Sequence, residues 1–590
     1  MGVTHHPGAL LLATAFMLPF LPHALRRLLQ VFGSFLAIVA AFNLPYGRSF
    51  SETFMGLHLV MFHVDWLSHV FGIILALAAF IGCVYAWHLD DRLETPACLV
   101  YAGGALGVVY AGDWFTLLFC WEVMALASLV VVWRGGRPGS PSAGLRYVLV
   151  HACGGLLFFT GILILYSQTF DLSVRSLVEN GTSGVGIAFW FILLGVSINA
   201  AIPPFHAWLP DAYPEASVTG TIFLSAFTTK TAVYVLVRVF PGTEILIWAG
   251  VVMALYGVVF AVLENDIRRL LAYHIVSQVG YMVVGVGIGT TLSLNGTVSH
   301  AFCHILYKSL LLMGAGAVLY STGRSKLTEL GGLGKRMPLV LLLYAVGACS
   351  ISGVPLFNGF ISKSMVISGA SQAGWPWVEI LLLLASIGTF LHTGLKLLYF
   401  TFLGEDCGAE AREIPQNMII AMGIGATYCT LLGIHPAWLY SRLDWAGGAV
   451  YHPFSPDHLI FSIQLLTGTA VGFWVLISKL GGEATVTIDT DWLYRRPLRW
   501  AVSWTVVRVA DAGLLINMIS IVLKNAVWSH LANPVRFLAP LGLHPGGSSY
   551  EVAPGEDFDS DRDRFPIAVN ILWMLAIAVV ALGYLMGVAP

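Results

Sequence analysis

The sequence predicts an all-α polytopic membrane protein with about 16 transmembrane helices, two of them broken. Of its 590 residues, 57% are hydrophobic and only 11% are charged, whereas soluble chains carry about 25% charged residues. Several apolar runs reach the roughly 20 residues that a bilayer-spanning helix needs. These features exclude a single large water-soluble enzyme and predict a multi-pass protein of the cell (inner) membrane. The net charge of −2 offers no basic surface for nucleic acid.

The predicted spans follow from the apolar runs in chain order. They are 7–23, 27–43, 67–88, 97–112, 114–133, 145–166, 186–204, 217–238, 245–263, 269–289, 297–320, 338–372, 377–403, 417–435, 459–478 and 566–588. The run at 338–372 is too long for one plain helix and contains Ser352-Gly353-Val354-Pro355, and the run at 186–204 ends in Pro203-Pro204. Because proline interrupts the helical hydrogen-bond ladder, both spans are predicted to be broken.

The same pattern predicts six regions. They are N-terminal transmembrane helices (1–112), a first five-helix repeat or half-channel (97–238), a second such repeat (245–403), additional transmembrane helices (417–478), a lateral helix with a polar linker (479–565) and a C-terminal transmembrane helix (566–590). The lateral helix is expected at 498–528, where Arg508 and Asp511 are three residues apart and share one face. A seventeenth crossing at 512–528 is the alternative.

Positive charge is distributed unevenly between the loops. Alternate loops hold thirteen Lys and Arg residues on one side of the predicted spans and four on the other. Since cytoplasmic loops are enriched in basic residues, this asymmetry supports the assigned spans and predicts an N-terminus outside the cytoplasm.

No cofactor or metal site is predicted. The eight cysteines form no C-x-x-C pair, and most lie in apolar runs, where a thiol behaves as a small hydrophobe. His300 and His304 have the spacing of a metal-binding pair, but no third ligand accompanies them. No glycine-rich phosphate-binding motif occurs, so nucleotide binding is not expected.

Ionisable side chains inside the predicted spans are the candidate functional residues, because a charge at mid-bilayer costs about 2.5–3.5 kcal/mol on insertion scales. They are Glu122, Lys230, His300, His304, Lys308, Lys363 and Lys396. His300, His304 and Lys308 follow one another at four-residue intervals, so they line one helix face and could pass protons through intervening waters. Structural hydrogen bonds for Glu122 and the histidines, and snorkelling of Lys363 to an interface, are the alternatives.

The spans also suggest an internal repeat. Laying spans 4–8 over spans 9–13 pairs Glu122 with Lys308 and Lys230 with Lys396, and it pairs the two broken spans, of which the second carries Lys363. Broken helices at corresponding positions of two halves are typical of transporters with a site near the midplane. An offset of five helices, an odd number, predicts that the second half is inverted.

The chain resembles the antiporter-like subunits shared by respiratory complex I (NADH–quinone oxidoreductase) and the Mrp-type Na+/H+ antiporters, and it resembles the D-type Mrp protein most. The stretches that carry the resemblance are Asp65 to Ser68, Phe119 to Met124, Pro204 to Asp211, Thr229 to Arg238, Asp266 to Tyr281, His300 to Lys308 and Ser352 to Lys363. Most of them lie in order between residues 110 and 370. The lateral helix and a last span resemble the longest members of the family.

The resemblance implies a proton-translocating subunit of a larger membrane assembly, with other membrane subunits, the lipid bilayer and protons as partners. Exchange of protons for Na+ or K+ is a variant of that function. Glu122 would modulate a lysine on the first broken helix, and Lys230 would relay protons to His300, His304 and Lys308. Lys363 would then release or accept the proton, and Lys396 belongs to the same relay.

One residue departs from the family pattern. Where relatives carry the lysine of the first broken helix, seven residues before His206, this sequence has Asn199. Asparagine carries no titratable charge, so Lys230, another group or a neighbouring subunit would have to pair with Glu122. His274, where relatives usually have serine, is a candidate replacement; a plain packing histidine is the alternative.

Two other functions compete with proton translocation. One is a non-pumping structural membrane subunit. Its lateral helix would contact and stabilise neighbouring subunits, and its channel would have lost function through the change to Asn199. The other is a membrane enzyme that reduces quinone, which the absence of a redox ligand set disfavours. No catalytic chemistry of the chain's own is predicted, although it would suit an ion-translocating oxidoreductase.

Overall fold

The computed structural model describes residues 6–179, 182–183, 186–445, 451–481, 489–532 and 571–579. Twelve helices within these ranges are long and apolar enough to cross a membrane. The helices are α1 (Pro7–Met17), α2 (His23–Phe42), α3 (Trp66–Tyr85), α4 (Glu94–Tyr110), α5 (Trp114–Trp133), α6 (Ser140–Thr169), α7 (Ile187–Asn199), α8 (Trp208–Ala212), α9 (Gly220–Ala226), α10 (Thr228–Val239), α11 (Glu244–Leu263), α12 (Ile267–Ile288), α13 (Thr291–Thr322), α14 (Pro338–Ser352), α15 (Asn358–Gln372), α16 (Pro376–Thr389), α17 (Gln416–Ile434), α18 (Ala437–Tyr440), α19 (Pro456–Leu480), α20 (Asp491–Leu493) and α21 (Arg499–Ala532). The chain is therefore a mostly helical polytopic membrane protein.

Aspartates at the sequence motifs set where several spans begin. Asp65 accepts a hydrogen bond from the Ser68 amide at 2.8 Å, and the Ser68 hydroxyl accepts one from the Asp65 amide at 2.8 Å. The side chains of Asp113 and Asp266 likewise accept hydrogen bonds from the first-turn amides of α5 and α12. Each cap satisfies amides that the first helical turn leaves without partners, so these residues fix the register of the spans that follow.

The most buried helices lie at the centre of the protein. In α9–α10, α12 and α13, 94% of the most apolar window is buried, compared with 11% in α19. Lys230 lies on α10, His274 on α12, and His300, His304 and Lys308 on α13. The polar side chains of these spans therefore face protein rather than lipid.

Two β-hairpins correct the all-α prediction. Strands β1 (Gly47–Phe54) and β2 (Leu57–Val64) pair antiparallel, from Gly47 opposite Val64 to Phe54 opposite Leu57. The turn residues Met55 and Gly56 have φ values of 50° and 80°, as a two-residue hairpin turn requires. A shorter hairpin joins β3 (Val178–Glu179) to β4 (Thr182–Ser183). The search for apolar runs missed both, since they lie between the predicted spans.

Both predicted interruptions are present. Helix α7 ends at Asn199, and helical structure resumes at Trp208. Helix α14 ends at Ser352, Gly353 adopts a left-handed conformation (φ 76°), and α15 begins at Asn358. After α16, the chain continues as two π-helical segments, Phe390–Lys396 and Tyr399–Leu403, which the sequence did not predict.

The order of the helices corrects one predicted pair. Helix α5, which carries Glu122, is the fifth predicted span, and the span five further on is α12. Lys308 lies on the next helix, α13, so the pairing of Glu122 with Lys308 is wrong by one helix. His274 is the residue on α12, whereas Lys230 and Lys396 do lie on the eighth and thirteenth predicted spans.

The C-terminal region forms a separate unit from Trp492 onward. Its helix α21 has 34 residues, which corresponds to about 51 Å, longer than the ~30 Å hydrocarbon core of a bilayer. Its length and composition also make it one of the twelve candidate spans. The predicted linker (545–565) and most of the predicted last helix lie outside the described residues, and 571–579 is helical.

Candidate functional site

A chain of hydrogen-bonding side chains runs through the second half of the membrane core, which we define as α11 through Leu403. At one end, Lys308 Nζ lies 3.5 Å from His274 Nδ1. His274 Nε2 lies 3.2 Å from Thr389 Oγ1, which also accepts a hydrogen bond from Gln278 Nε2 at 3.5 Å. All four side chains are fully buried. The structure thus places the candidate replacement His274 directly beside Lys308.

The chain continues from Gln278 toward α15. The Tyr307 hydroxyl lies 3.4 Å from Gln278 Oε1 and 3.5 Å from His300 Nε2. On the other side of the imidazole, His300 Nδ1 lies 3.1 Å from Ser362 Oγ. Each member has a hydrogen-bonding partner on both sides, so these side chains form one connected polar network in the buried core.

His304 lies next to this chain without a hydrogen bond to either ring nitrogen among the described residues. Its ring is 5.2 Å from that of Tyr307 and 6.3 Å from that of His300, measured between centroids. Lys230 and Lys308 both interact with it electrostatically. His304 therefore packs beside the polar chain and is within electrostatic reach of the lysines on α10 and α13.

Lys363 lies on α15, and its side chain reaches back across the break to the end of α14. Its Nζ donates to the Ile351 carbonyl at 2.9 Å and lies 5.5 Å from the centroid of the Tyr281 ring. The last carbonyls of a helix carry partial negative charge, so the end of α14 favours an ammonium group at this place.

A cavity of about 120 Å³, lined by both polar and apolar side chains, adjoins Lys363. Besides this lysine, its polar lining consists of Ser352, Ser364, Ser368, Ser386, Ser462, Glu379 and His458. One water needs ~10–15 Å³ of such space and two to four polar partners, so the cavity can hold several waters. It extends from the helix break to residues near the starts of α16 and α19.

Lys396 and His392 lie on the first π-helical segment. Lys396 Nζ donates to the carbonyls of Val262 at 2.7 Å and Glu264 at 3.3 Å. The His392 ring lies 4.9 Å from the His274 ring, between centroids. Sequence reasoning missed His392, although π-helical turns often occur at functional sites.

The first half of the membrane core, defined as α4 through α10, has no comparable chain around its lysine among the residues that the structure describes. Lys230 is fully buried, and its Nζ donates to the Ser225 carbonyl at 2.6 Å and lies 3.0 Å from Thr229 Oγ1. Neither partner is charged. Its link to other titratable groups is electrostatic, toward His304 and Lys308 of the second half.

Glu122 and Asn199 lack the partners that the family pattern implies. The Asn199 amide is fully buried, and neither of its polar atoms has a hydrogen bond among the described residues. Glu122 is half-buried over α6, where a Cβ added at Gly155 would overlap its Oε1. Within the part of the chain that the structure describes, no ion pair of Glu122 is found, with Lys230 or any other cation.

Asp489, a buried carboxylate, was not identified from the sequence. Asp489 Oδ1 lies 3.2 Å from His206 Nε2, and both side chains are at most 1% exposed. The hydroxyls of Tyr256 and Tyr273 also donate to this carboxylate. Burial alone would raise the pKa of Asp489, but the hydrogen bonds and the charge of His206 outweigh it and lower the pKa.

No cluster of three His, Cys, Asp or Glu side chains in the described ranges has the arrangement of a metal site. His300 and His304, which have the spacing of a metal-binding pair, lie with ring centroids 6.3 Å apart, and His300 uses its nitrogens within the polar chain.

Residues 111–391 match the family model described as NADH:quinone oxidoreductase/Mrp antiporter, transmembrane. The chain is 32% identical over 397 residues to NADH-quinone oxidoreductase subunit N of Desulforudis audaxviator, an alignment that covers 60% of this chain and 79% of the relative. It is 33% identical over 334 residues to the D-type protein of a Na(+)/H(+) antiporter from Alkalihalophilus pseudofirmus, covering 53% of this chain and 66% of the relative.

Solved structures show the same fold. A chain of respiratory complex I from Thermus thermophilus superposes with a TM-score of 0.62 at 25% identity, covering 73% of this chain and 97% of the other. A chain of the Mrp complex from Dietzia sp. DQ12-45-1b superposes with a TM-score of 0.63 at 23% identity, covering 79% and 96%. In each case nearly the whole of the solved chain is matched.

Proposed function

Because the chain belongs to the NADH:quinone oxidoreductase/Mrp antiporter transmembrane family, we propose that its buried polar chain carries protons across the bilayer. It is a multi-pass membrane subunit of an Mrp-like or complex I-like assembly, and its partners are other membrane subunits. The relay residues are Glu122, Lys230, His300, His304, Lys308, Lys363 and Lys396, with His274 added to them. Na+ or K+ is the cation that an Mrp-like assembly would exchange for the protons.

The observation that carries this proposal is the buried polar network that joins Lys308 and His274 to Tyr307 and His300. Its hydrogen-bonding atoms are 3.1–3.5 Å apart. Lys308 and His274 can exchange a proton directly, and so can His300 and the Tyr307 hydroxyl, whereas the Gln278 amide between these two pairs only donates to Thr389 and accepts from Tyr307. Burying these groups only to pack helices would cost free energy that apolar side chains avoid.

Protons reach this chain from Lys230 and leave it at Lys363. Lys230 is electrostatically coupled to His304 and Lys308, so a change in its protonation alters the proton affinity of both. At the other end, Lys363 interacts electrostatically with His300, and the cavity beside Lys363 has room for waters that could take up its proton. Lys396 lies to one side of this route, against the carbonyls that end α11.

Replacing single lysines tests the proposal. Lys308→Ala and Lys363→Ala should each abolish proton flux in proteoliposomes of the assembled complex, because each removes a link of the route. Lys335→Ala, in the loop before α14, serves as the matched control and should leave the flux unchanged. Full flux in both variants, with normal assembly, would contradict proton transfer through this chain.

A non-pumping structural subunit is the second candidate, and the unbonded amide of Asn199 favours it. In that case truncation after residue 490 would disrupt the complex, whereas the lysine variants would change nothing. Loss of flux with assembly intact, as expected here, separates the two functions.

The finer architecture belongs to the same proposal. We infer 16 transmembrane helices, two inverted five-helix repeats (97–238 and 245–403), an amphipathic lateral helix within 479–565 and an N-terminus outside the cytoplasm. The length of α21, greater than the bilayer core, supports a helix along the membrane. Labelling of single cysteines introduced at both ends of α21 tests this: a lateral helix exposes both ends to a reagent on one side only.

A further inference from the structure

The buried carboxylate of Asp489 lies against the break of the first broken helix. After α19, the chain returns to place Asp489 beside His206, seven residues beyond Asn199. Thr490 strengthens this contact, because its hydroxyl donates to the Pro204 carbonyl at 3.3 Å. The segment that precedes α20 is thus joined to the interrupted region of α7 by one ion pair and one hydrogen bond.

The surroundings of Asp489 stabilise its charged form. Tyr256 of α11 and Tyr273 of α12 donate to its two oxygens, and the Thr490 amide donates to Oδ1. Beyond them, Arg269 interacts with Tyr273 and pairs with Glu264 at 3.2 Å, and Asp491 acts on Tyr256. A carboxylate with this many donors stays ionised, so the group in the pair that exchanges a proton is the imidazole of His206.

We propose that the His206–Asp489 pair is a proton-exchanging site at the break of the first broken helix, in addition to Glu122 and Lys230, and that Asp489 acts as the residue that positions the His206 ring. The inference rests on the proposed proton translocation. The Asn199 amide cannot bind a proton at ordinary pH. His206 lies in the same helix break, and one of its ring nitrogens can bind a proton and release it again. Only an N–H bond forms and breaks, while Asp489 remains a carboxylate throughout.

A purely structural role for Asp489 is less consistent with its partners. A buried ion pair adds little net stability, since removing both ions from water offsets their attraction. A capping carboxylate would also bind backbone amides, whereas Asp489 binds one imidazole and two phenols in addition to the Thr490 amide. Its contacts come from three separate parts of the chain and meet at the break of the first broken helix.

The experiment measures the pH dependence of proton flux in membrane vesicles that contain the intact complex. Asp489→Asn removes the negative charge and so weakens proton binding by His206; the flux profile should move to lower pH by about one unit, a tenfold loss of proton affinity. Asp489→Glu keeps the charge and should retain the wild-type profile. Asp457→Asn, at an exposed carboxylate in the first turn of α19, is the matched control and should cause no shift.

A double variant shows whether Asp489 works through His206. His206→Gln should lose the pH-dependent limb, and adding Asp489→Asn to it should cause no further shift. An unshifted profile in Asp489→Asn, a wild-type profile in His206→Gln, or an additional shift in the double variant would each overturn the inference. If Asp489→Asn does not assemble, the test rests on the other two variants. A wild-type profile in Asp489→Glu and a lost pH-dependent limb in His206→Gln would then support the inference, and the opposite results would overturn it. Absence of flux in the wild-type complex would instead contradict proton translocation itself.

Discussion

The two halves of the membrane core differ in how their buried titratable groups are connected. In the second half, Lys308, His274 and His300 belong to one chain of hydrogen-bonding side chains. In the first half, Lys230 is bonded to a carbonyl and a hydroxyl, and Asn199 has no hydrogen bond among the described residues. Both halves bury a lysine at the centre of the bundle. Among the described residues, therefore, a polar network that includes both a lysine and histidines is found in the second half, whereas the lysine of the first half has only neutral partners.

The largest effect is expected from breaking the chain of the second half. His274→Phe keeps a ring of similar size but removes both nitrogens that join Lys308 to Thr389. Proton flux in vesicles should fall at least tenfold, which corresponds to about 1.4 kcal/mol in the barrier. The matched control in the first half is His151→Phe, since His151 is equally buried but bonds only to the Tyr147 carbonyl among the described residues.

His151→Phe should change the flux by less than about twofold. Equal losses in the two histidine variants would show that the halves do not differ in the way described above.

An intermediate effect is expected from restoring a charge to the first half. Asn199→Lys places an ammonium group at the end of α7, in the position where the family pattern has lysine. The pH profile of the flux should shift by about one unit, because a new buried cation changes the proton affinity of its neighbours. Asn199→Gln, which lengthens the side chain without charge, is the control. An unchanged profile in Asn199→Lys would exclude a role for residue 199 in the relay.

The smallest effect is expected from displacing Glu122. Gly155→Ala would place a Cβ where Glu122 Oε1 lies, so the carboxyl group has to rotate away. Because that group is the end of a flexible side chain, the change in flux should be about twofold and assembly normal. Gly423→Ala on α17 is the control, since a Cβ there meets nothing within 4 Å. A loss as large as that of His274→Phe would place Glu122 on the main route.

Much of the second half's chain was predictable because its members follow a helical repeat. His300, His304 and Lys308 lie on one face of α13, and the first and last of them take part in the polar chain. The spacing signals this directly, since residues four apart lie over one another. The interruptions of α7 and α14 were predictable for a similar reason, because proline and glycine act locally.

The neutral links were not predictable. Thr389, Gln278 and Ser362 are common polar residues whose role depends on meeting a histidine far away in sequence. Asp489 was missed because it lies in a polar stretch outside the spans, and only the fold brings it to His206. The pairing of Glu122 with Lys308 failed by a miscount, because Lys308 lies in the eleventh predicted span (297–320) and the span five after that of Glu122 is the tenth (269–289).

The hydrogen bond from Lys363 to the Ile351 carbonyl has a consequence for hydration. When the ammonium group gives up its proton, it donates less strongly to the end of α14. The neutral amine keeps two N–H bonds but gains a lone pair, and because a buried acceptor without a donor costs about 1–3 kcal/mol, a water from the adjoining cavity has to donate to it. The number of waters beside the lysine would then change with its charge. Hydration of the helix break would therefore differ between the protonated and the neutral state of Lys363.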